Sequence, residues 1–184
     1  MKMYNDITLI IVCYKSYQLI KKNLETLKNF KTIIVDNSNC DKTYNLVKNF
    51  DNIDFIKTAN NLGYGMANNL GISNANTKFV LILNPDILVN SNAVKSLYLK
   101  FGEYENIGIL APSLYAENNV RRTNGSRSYF KKKLFKNKKN LNNFAVGDTC
   151  YDYVIGCAML INREFFNELG GFDKDFFMYF EDNE

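Results

Sequence analysis

The stretch ITLIIVCYKSYQLIKKNLETLKNFKTIIVD, residues 7–36, decides the fold class. Ile7 to Cys13 is a short, mostly β-branched apolar run, the composition of a buried strand. Tyr17, Ile20, Leu24 and Leu27 then recur at intervals of three and four, which lines one face of a helix. Thr32 to Val35 returns to strand composition. Strand, amphipathic helix and strand in close succession make a βαβ unit, the connection that parallel strands require.

The alternation continues outward. A polar turn, Asp36 to Asp41, leads to a helix carrying Tyr44, Val47 and Phe50, and Ile53 to Ile56 reads as a third strand. Residues 65 to 75 put Met66, Ala67, Leu70 and Ala75 at helical spacing, and Phe79 to Leu83 is unbroken apolar, as in a strand covered on both faces. Ser91 is read as the N-cap of a helix bearing Val94, Leu97, Tyr98 and Phe101, with a strand following at Ile107 to Ala111. Residues 116 to 150 are polar, basic and rich in Asn without a sustained period, which reads as a long excursion, mobile or ordered by a ligand. Tyr153 to Ile161 resumes strand character. The expected architecture is one α/β domain over residues 1–184, its central and mostly parallel sheet flanked by helices.

Composition agrees with one ordinary globular core: 184 residues, 46% apolar and 14% aromatic. A chain of this size buries roughly 70% of its unfolded surface, enough to be stable without disulfide or zinc staples. There is no His, which excludes a Ser/His/Asp or Cys/His nucleophile and any His-bearing metal site within these residues. The cysteines at 13, 40, 150 and 157 lack Cys-x-x-Cys spacing and read as reduced thiols, which implies a cytoplasmic setting. Ile7 to Tyr14 is too short to span a bilayer and has no small-residue cleavage site after it.

The net charge of +4 is unevenly spread. Arg121 to Lys139 holds nine basic residues and no acidic one, whereas Glu164 to the end holds seven acidic residues against Lys174 alone. The basic run suits a phosphorylated acceptor, anionic lipid or nucleic acid, and equally a solvated loop; with little aromatic content and no nucleic-acid module, nucleic acid is not the expected partner.

In an open parallel sheet, ligands bind outside the carboxyl ends of the strands, so the polar residues that follow apolar runs come first. These are Tyr14, Asp36 with Asn37, and Asn84-Pro85-Asp86. Asp36 suits a base or ribose contact, though Asp and Asn at such positions also make Asx-turns with no ligand. Asp86, on a turn stiffened by Pro85, suits a hard divalent cation whose other ligands come from a diphosphate and water; plain turn punctuation is the competing reading. Asn61, Gly63, Gly65, Asn69 and Gly71 form a glycine-spaced entry to a helix, fit either for a phosphate or for close backbone packing. The segment GGFDKDFFMYFEDNE, residues 170–184, sets five carboxylates among five aromatics, surroundings that raise a carboxylate pKa and suit a general base.

In this order the pieces IIVCYKS (10–16), VDNSNCD (35–41), NLGYGMANNLGI (61–72), LILNPDILV (81–89), VIGCAMLINREFF (154–166), GGFD (170–173) and FEDNE (180–184) resemble the glycosyltransferase family 2 proteins of the GT-A, Rossmann-like fold, especially the bacterial rhamnosyltransferase-like branch. The resemblance implies transfer of a sugar from a nucleotide-diphosphate donor, a UDP- or dTDP-sugar, to an acceptor hydroxyl with inversion, assisted by Mg²⁺ or Mn²⁺. It implies a saccharide or lipid-linked saccharide acceptor, and a cytoplasmic enzyme with peripheral contact at the inner membrane.

Residue by residue, the resemblance assigns nucleotide contacts to Tyr14, Asp36, Asn61 and Gly63, and the metal to Asp86, with Asn84 where many relatives carry a first Asp. Asp182 matches the catalytic base, with Glu181 in support. Gly156 backs the sugar pocket, and Gly171, Phe172 and Asp173 shape its acceptor side. Relatives continue past the acidic motif with further helices, so a catalytic domain truncated on its C-terminal side is expected. Two rivals stay open: a non-catalytic nucleotide-sugar binding module or inactive fragment, and a nucleotidyltransferase. The second wants a Gly-rich, Lys/Arg-bearing loop after the first strand, and none follows Cys13.

Overall fold

The computed structural model describes residues 5–105, 107–116, 118–122, 125–126, 148, 150–151 and 153–178. Strands β1 (Ile7–Cys13), β2 (Lys31–Asp36), β3 (Ile53–Lys57) and β4 (Phe79–Leu83) alternate with helices α1 (Tyr17–Leu27), α2 (Asp41–Val47) and α3 (Tyr64–Asn74). After α4 (Ser91–Phe101) come five two-residue strands, β5 (Ile109–Leu110), β6 (Leu114–Tyr115), β7 (Arg121–Arg122), β8 (Gly125–Ser126) and β9 (Tyr153–Val154). Strand β10 (Ala158–Asn162) and helix α5 (Arg163–Glu168) complete the order.

Six strands form one sheet in the order β3-β2-β1-β4-β10-β5. The first four run parallel, and β10 lies antiparallel to both β4 and β5. Alternating strand residues feed two cores. Ile7, Leu9 and Ile11 pack with Ile20 and Leu27 of α1, Val47 of α2 and Val94 and Leu97 of α4. Ile10, Val12, Ile33 and Val35 pack with Ala67 and Ile72 of α3 and with Phe166 and Phe172 on the opposite face. Gly71 lets α3 lie close: a β-carbon there would sit 2.6 Å from Ile10 Cγ2. Glycine costs a helix interior about 1 kcal/mol, less than the 1.5–3 kcal/mol or so that burying one Ile side chain contributes.

Several expected boundaries shift. Asn90, not Ser91, caps α4, its Oδ1 accepting from the Ala93 N–H at 2.8 Å; Asn is an equally good cap, and the chain turns helical one residue earlier. Helix α2 ends at Val47, and Phe50 lies beyond it in the turn that enters β3. The expected strand at 107–111 pairs only over Ile109–Leu110, at the sheet edge. The run from 153 to 161 divides at Ile155–Cys157: β9 pairs with β8, while β10 enters the main sheet. Within the predicted excursion, β7 pairs with β6 and β8 with β9, so its two flanks are held in short ladders. Residues 127–147, the body of the basic run, lie outside the described residues.

Candidate active site at the carboxyl edge of the sheet

Strand order reverses between β1 and β4: the chain builds outward from β1 through β2 to β3, then returns to place β4 on the other side of β1. Such a reversal leaves a crevice outside the carboxyl ends of the two strands, because their connections depart in opposite directions. Tyr14 follows β1, Asn84 and Asp86 follow β4, and Asp36 ends the neighbouring β2. Because β10 runs the other way, its beginning lies at this same edge, and the Asn84 N–H donates to the Cys157 carbonyl at 2.9 Å.

Asp36 is fully buried. Its Oδ1 accepts from the Ser38 N–H at 2.7 Å and from the Ser38 hydroxyl at 2.5 Å, so the Asx-turn this sequence allows is formed. Its Oδ2 is buried with no partner among the described residues. An orphaned buried acceptor costs about 1–3 kcal/mol, a penalty that a donor group on a bound ligand would relieve. The nearby Cys13 thiol is pushed up from its ordinary value of 9.0 to about 12, by burial first and then by the negative charge of Asp36.

Asn37 is a structural node: its N–H donates to the Cys13 carbonyl at 2.9 Å, its Nδ2 to the Gly63 carbonyl at 3.1 Å, and its Oδ1 accepts from the Thr58 hydroxyl at 3.1 Å. Gly63, at φ +81°, then turns the chain into α3, and the Asn61 side chain accepts from its N–H at 3.0 Å. Tyr14 is half exposed, on a turn that Lys15 completes at φ +55°. A non-glycine residue in that region costs about 1–2 kcal/mol.

The β4 loop is anchored from α1. Buried Asn23 donates through Nδ2 to the carbonyls of Ile87 at 2.9 Å and Pro85 at 3.3 Å, and the Thr26 hydroxyl donates to Val89 at 2.6 Å. These bonds hold Asp86 exposed on a fixed turn, two residues past Asn84, whose buried Oδ1 has no partner among the described residues. The oxygens offered are hard donors of the kind Mg²⁺ or Mn²⁺ accepts, and such ions draw much of their shell from substrate phosphates and water. Among the described residues no group of three or more His, Cys, Asp or Glu converges.

The last described segment returns to this edge. The Tyr64 N–H donates to the Phe177 carbonyl at 3.0 Å, and the Tyr64 hydroxyl donates to the Gly156 carbonyl at 2.5 Å. Phe172 enters by its backbone: its ring is buried, 5.1 Å from the Phe166 ring and 6.5 Å from that of Tyr64, so it does not itself line an open pocket. Asp173 is exposed and accepts from the Asp175 N–H at 2.8 Å. Glu181 and Asp182 lie outside the described residues. A depression of about 770 Å³ bordered by Lys78, Arg163 and Glu164 opens at the amino end of β4, the far edge of the sheet.

The Glycosyl transferase family 2 profile matches residues 8–170, from β1 to the end of α5. The chain belongs to this family. This family 2 chain is 28% identical over 190 residues to the low-salt glycan biosynthesis hexosyltransferase Agl10 of Haloferax volcanii, covering 99% of itself and 61% of that protein. It is 25% identical to the rhamnosyltransferase WbbL of Escherichia coli K12, covering 95% of itself and 73% of that protein.

Among solved structures, TarS 1–349 of S. aureus aligns at TM-score 0.70 and 17% identity over 97% of the family 2 chain and 53% of that fragment. The mannosyltransferase PcManGT of Pyrobaculum calidifontis, in complex with GDP-Man and Mn²⁺, aligns at 0.63 and 16% identity, over 92% and 48%. The fold is therefore GT-A, and the chain spans about half to three-fifths of the length of Agl10, the TarS 1–349 fragment and PcManGT. Among the described residues no helix is long and apolar enough to cross a membrane.

The sequence singled out Tyr14, Asp36, Asn61, Gly63, Asn84, Asp86 and Gly156, and all seven belong to the carboxyl-edge segments. It missed Asn23 and Tyr64, and it read Asn69 only as part of the glycine-spaced entry to a helix; all three hold those segments together. Asn23 carried one usable signal, a polar residue among the apolar positions of α1.

Proposed function

We propose that this chain transfers a sugar from a nucleotide-diphosphate donor to an acceptor hydroxyl with inversion at the anomeric carbon, in the synthesis of a surface polysaccharide or glycoconjugate. The observation that carries the reading is that two of the three orphaned buried side-chain oxygens among the described residues, Asp36 Oδ2 at the end of β2 and Asn84 Oδ1 after β4, lie at the carboxyl edge on either side of β1; the third, Asn68 Oδ1, is on α3. Asp36 receives the nucleoside, the turn at Asn61 and Gly63 borders it, and Tyr14 covers it from β1. Asn84 and Asp86 would hold a divalent cation, which when bound supplies charge neutralisation for the departing nucleotide diphosphate. Support for such a cation comes from the donor set of this loop and from PcManGT, which was solved in complex with GDP-Man and Mn²⁺.

Asp182 takes the proton from the acceptor hydroxyl as that oxygen attacks the face opposite the leaving group, and Glu181 supports it. No covalent glycosyl intermediate is required, because one displacement inverts the centre. A UDP- or dTDP-sugar is the proposed donor; TarS has been solved with UDP and UDP-GlcNAc. The acceptor is a saccharide or lipid-linked saccharide, reached from the cytoplasmic side by peripheral contact with the inner membrane through the basic residues of 121–139.

The test is a thermal-shift screen of nucleoside diphosphates and their sugars with and without Mn²⁺, followed by assay of nucleotide release with an acceptor. Metal-dependent stabilisation by one nucleotide series and release of its diphosphate support the reading. Binding without release in this chain, alongside release by a longer chain, identifies a nucleotide-sugar binding module instead.

A further inference from the structure

The carboxamide of Asn69 makes both bonds a side-chain amide can make to a single residue of the chain far from it. Its Nδ2 donates to the Phe172 carbonyl at 2.7 Å, and its Oδ1 accepts from the Phe172 N–H at 2.9 Å. This reproduces the pairing of one strand residue with another, but between α3 and a segment 103 residues later. Gly171 makes room: it sits at φ +78°, and a β-carbon on it would approach Asn69 Oδ1 to 2.8 Å. One and a half turns earlier on α3, the Tyr64 N–H takes the Phe177 carbonyl at 3.0 Å. Two bonds at Phe172 and one at Phe177 therefore fix both ends of the 172–177 segment to one rigid helix.

Four residues separate Phe177 from Asp182. The exit point of the chain at Met178 thus limits where the acidic pair begins its course, and that exit is set from α3. We propose that Asn69 is a positioning residue for the transfer reaction: by gripping the Phe172 backbone it aligns the segment that leads to Glu181 and Asp182 with the donor held at Asp36, Asn84 and Asp86. This rests on the proposed function, which makes Asp182 the base. Tyr14, Asp36, Asn84 and Asp86 come from the ends of β1, β2 and β4, and the base from a segment whose register α3 sets; the Asn61–Gly63 turn touches that segment at Phe177, where the Tyr64 N–H bond stays in place when Asn69 is changed. Loss of the grip therefore separates catalysis from donor binding, where a general loss of structure would lower both.

The experiment compares Asn69→Ala, Gly171→Ala and the double variant with wild type, in the full 184-residue chain, by donor Kd, kcat and amide exchange across residues 172–178. The expected result is kcat lowered about 10- to 100-fold, the effect of roughly 1 Å of misplacement, with donor Kd within about twofold and faster exchange at Phe172. The double variant is expected to lose no more than the worse single variant, because both break one clamp. Should Asn69→Ala fail to fold, Asn69→Asp keeps the shape and the bond from the Phe172 N–H and reads the same split.

Unchanged kcat, a parallel fall of kcat and donor affinity, or multiplying losses in the double variant would overturn the positioning role. Wild type that releases no nucleotide from any donor overturns the proposed function instead, and the positioning role with it. Exchange at Phe172 unaltered in Asn69→Ala refutes the clamp independently of activity.

Discussion

Gly63 and Phe177 are in backbone contact: a β-carbon on Gly63 would lie 2.2 Å from the Phe177 carbonyl oxygen, closer than any non-bonded carbon and oxygen can approach. The residue that caps α3 and the last part of the described chain are thus locked together across more than half of the sequence. Gly63 also stands at φ +81°, where an L side chain is strained.

Gly63→Ala therefore carries two penalties, left-handed backbone strain of about 1–2 kcal/mol and displacement of the Phe177 segment. A loss of about 2–4 kcal/mol in denaturant unfolding is expected, with Tm lower by roughly 4–16 °C for a chain of this size. Unfolding curves that overlay wild type would show that the two segments part at no cost.

Asp86→Ala and Asp182→Asn are expected to fail differently. Asp86 is exposed and its side chain makes no hydrogen bond or ion pair among the described residues, so its removal leaves stability within about 0.5 kcal/mol while abolishing the metal-dependent part of donor affinity. Asp182→Asn keeps donor affinity and loses transfer, because only proton removal from the acceptor is withdrawn. Calorimetric titration with and without Mn²⁺, paired with nucleotide-release rates, separates the two; full activity in either variant removes that residue from the mechanism.

Asn23→Leu keeps the size of a buried side chain and leaves the carbonyls of Pro85 and Ile87 without their donor. A destabilisation of about 1–3 kcal/mol is expected. Metal-dependent donor affinity should also fall although Asp86 is intact, because, of the side-chain bonds from α1 to its loop, that from Thr26 to Val89 is then left. Affinity equal to wild type would show that the loop finds its place without α1.

Cys13 gives a pH signature. Its thiol rises from 9.0 to about 12 on folding, through burial and then the charge of Asp36. Between those values the unfolded chain has released a proton that the folded chain retains, so stability falls as pH rises, by up to about 1.4 kcal/mol per pH unit. Below pH 9 the contribution is fully present. Cys13→Ala should flatten the decline of stability between pH 9 and 11 relative to wild type, measured by urea unfolding; parallel slopes would show that the thiol titrates normally.

How much of this was legible beforehand varies with the range of the interaction. Strands β1, β2 and β4 and helices α1 and α3 were readable because each is announced by its own local pattern, a β-branched run or a spacing of three and four. The direction of β10 was not, since an apolar run records burial and not orientation. The break at Ile155–Cys157 was hidden for a similar reason: it is made by a change of partner, from β8 to β4, within one continuous apolar stretch. The cap at Asn90 was missed by one residue because Asn and Ser are nearly equal as caps, and only geometry separates them.

By itself the amino-acid order determined the β–α alternation, the apolar faces and the polar residues that terminate each strand, all properties written within a few residues. The sheet order β3-β2-β1-β4-β10-β5, which makes those terminating residues neighbours, was decided only by the tertiary structure. The same holds for the grip of Asn23 on the β4 loop and of Asn69 on Phe172. The physical reason is that these are single hydrogen-bond pairs between residues 64 and 103 positions apart, and they acquire a partner only after the cores on both faces of the sheet have packed.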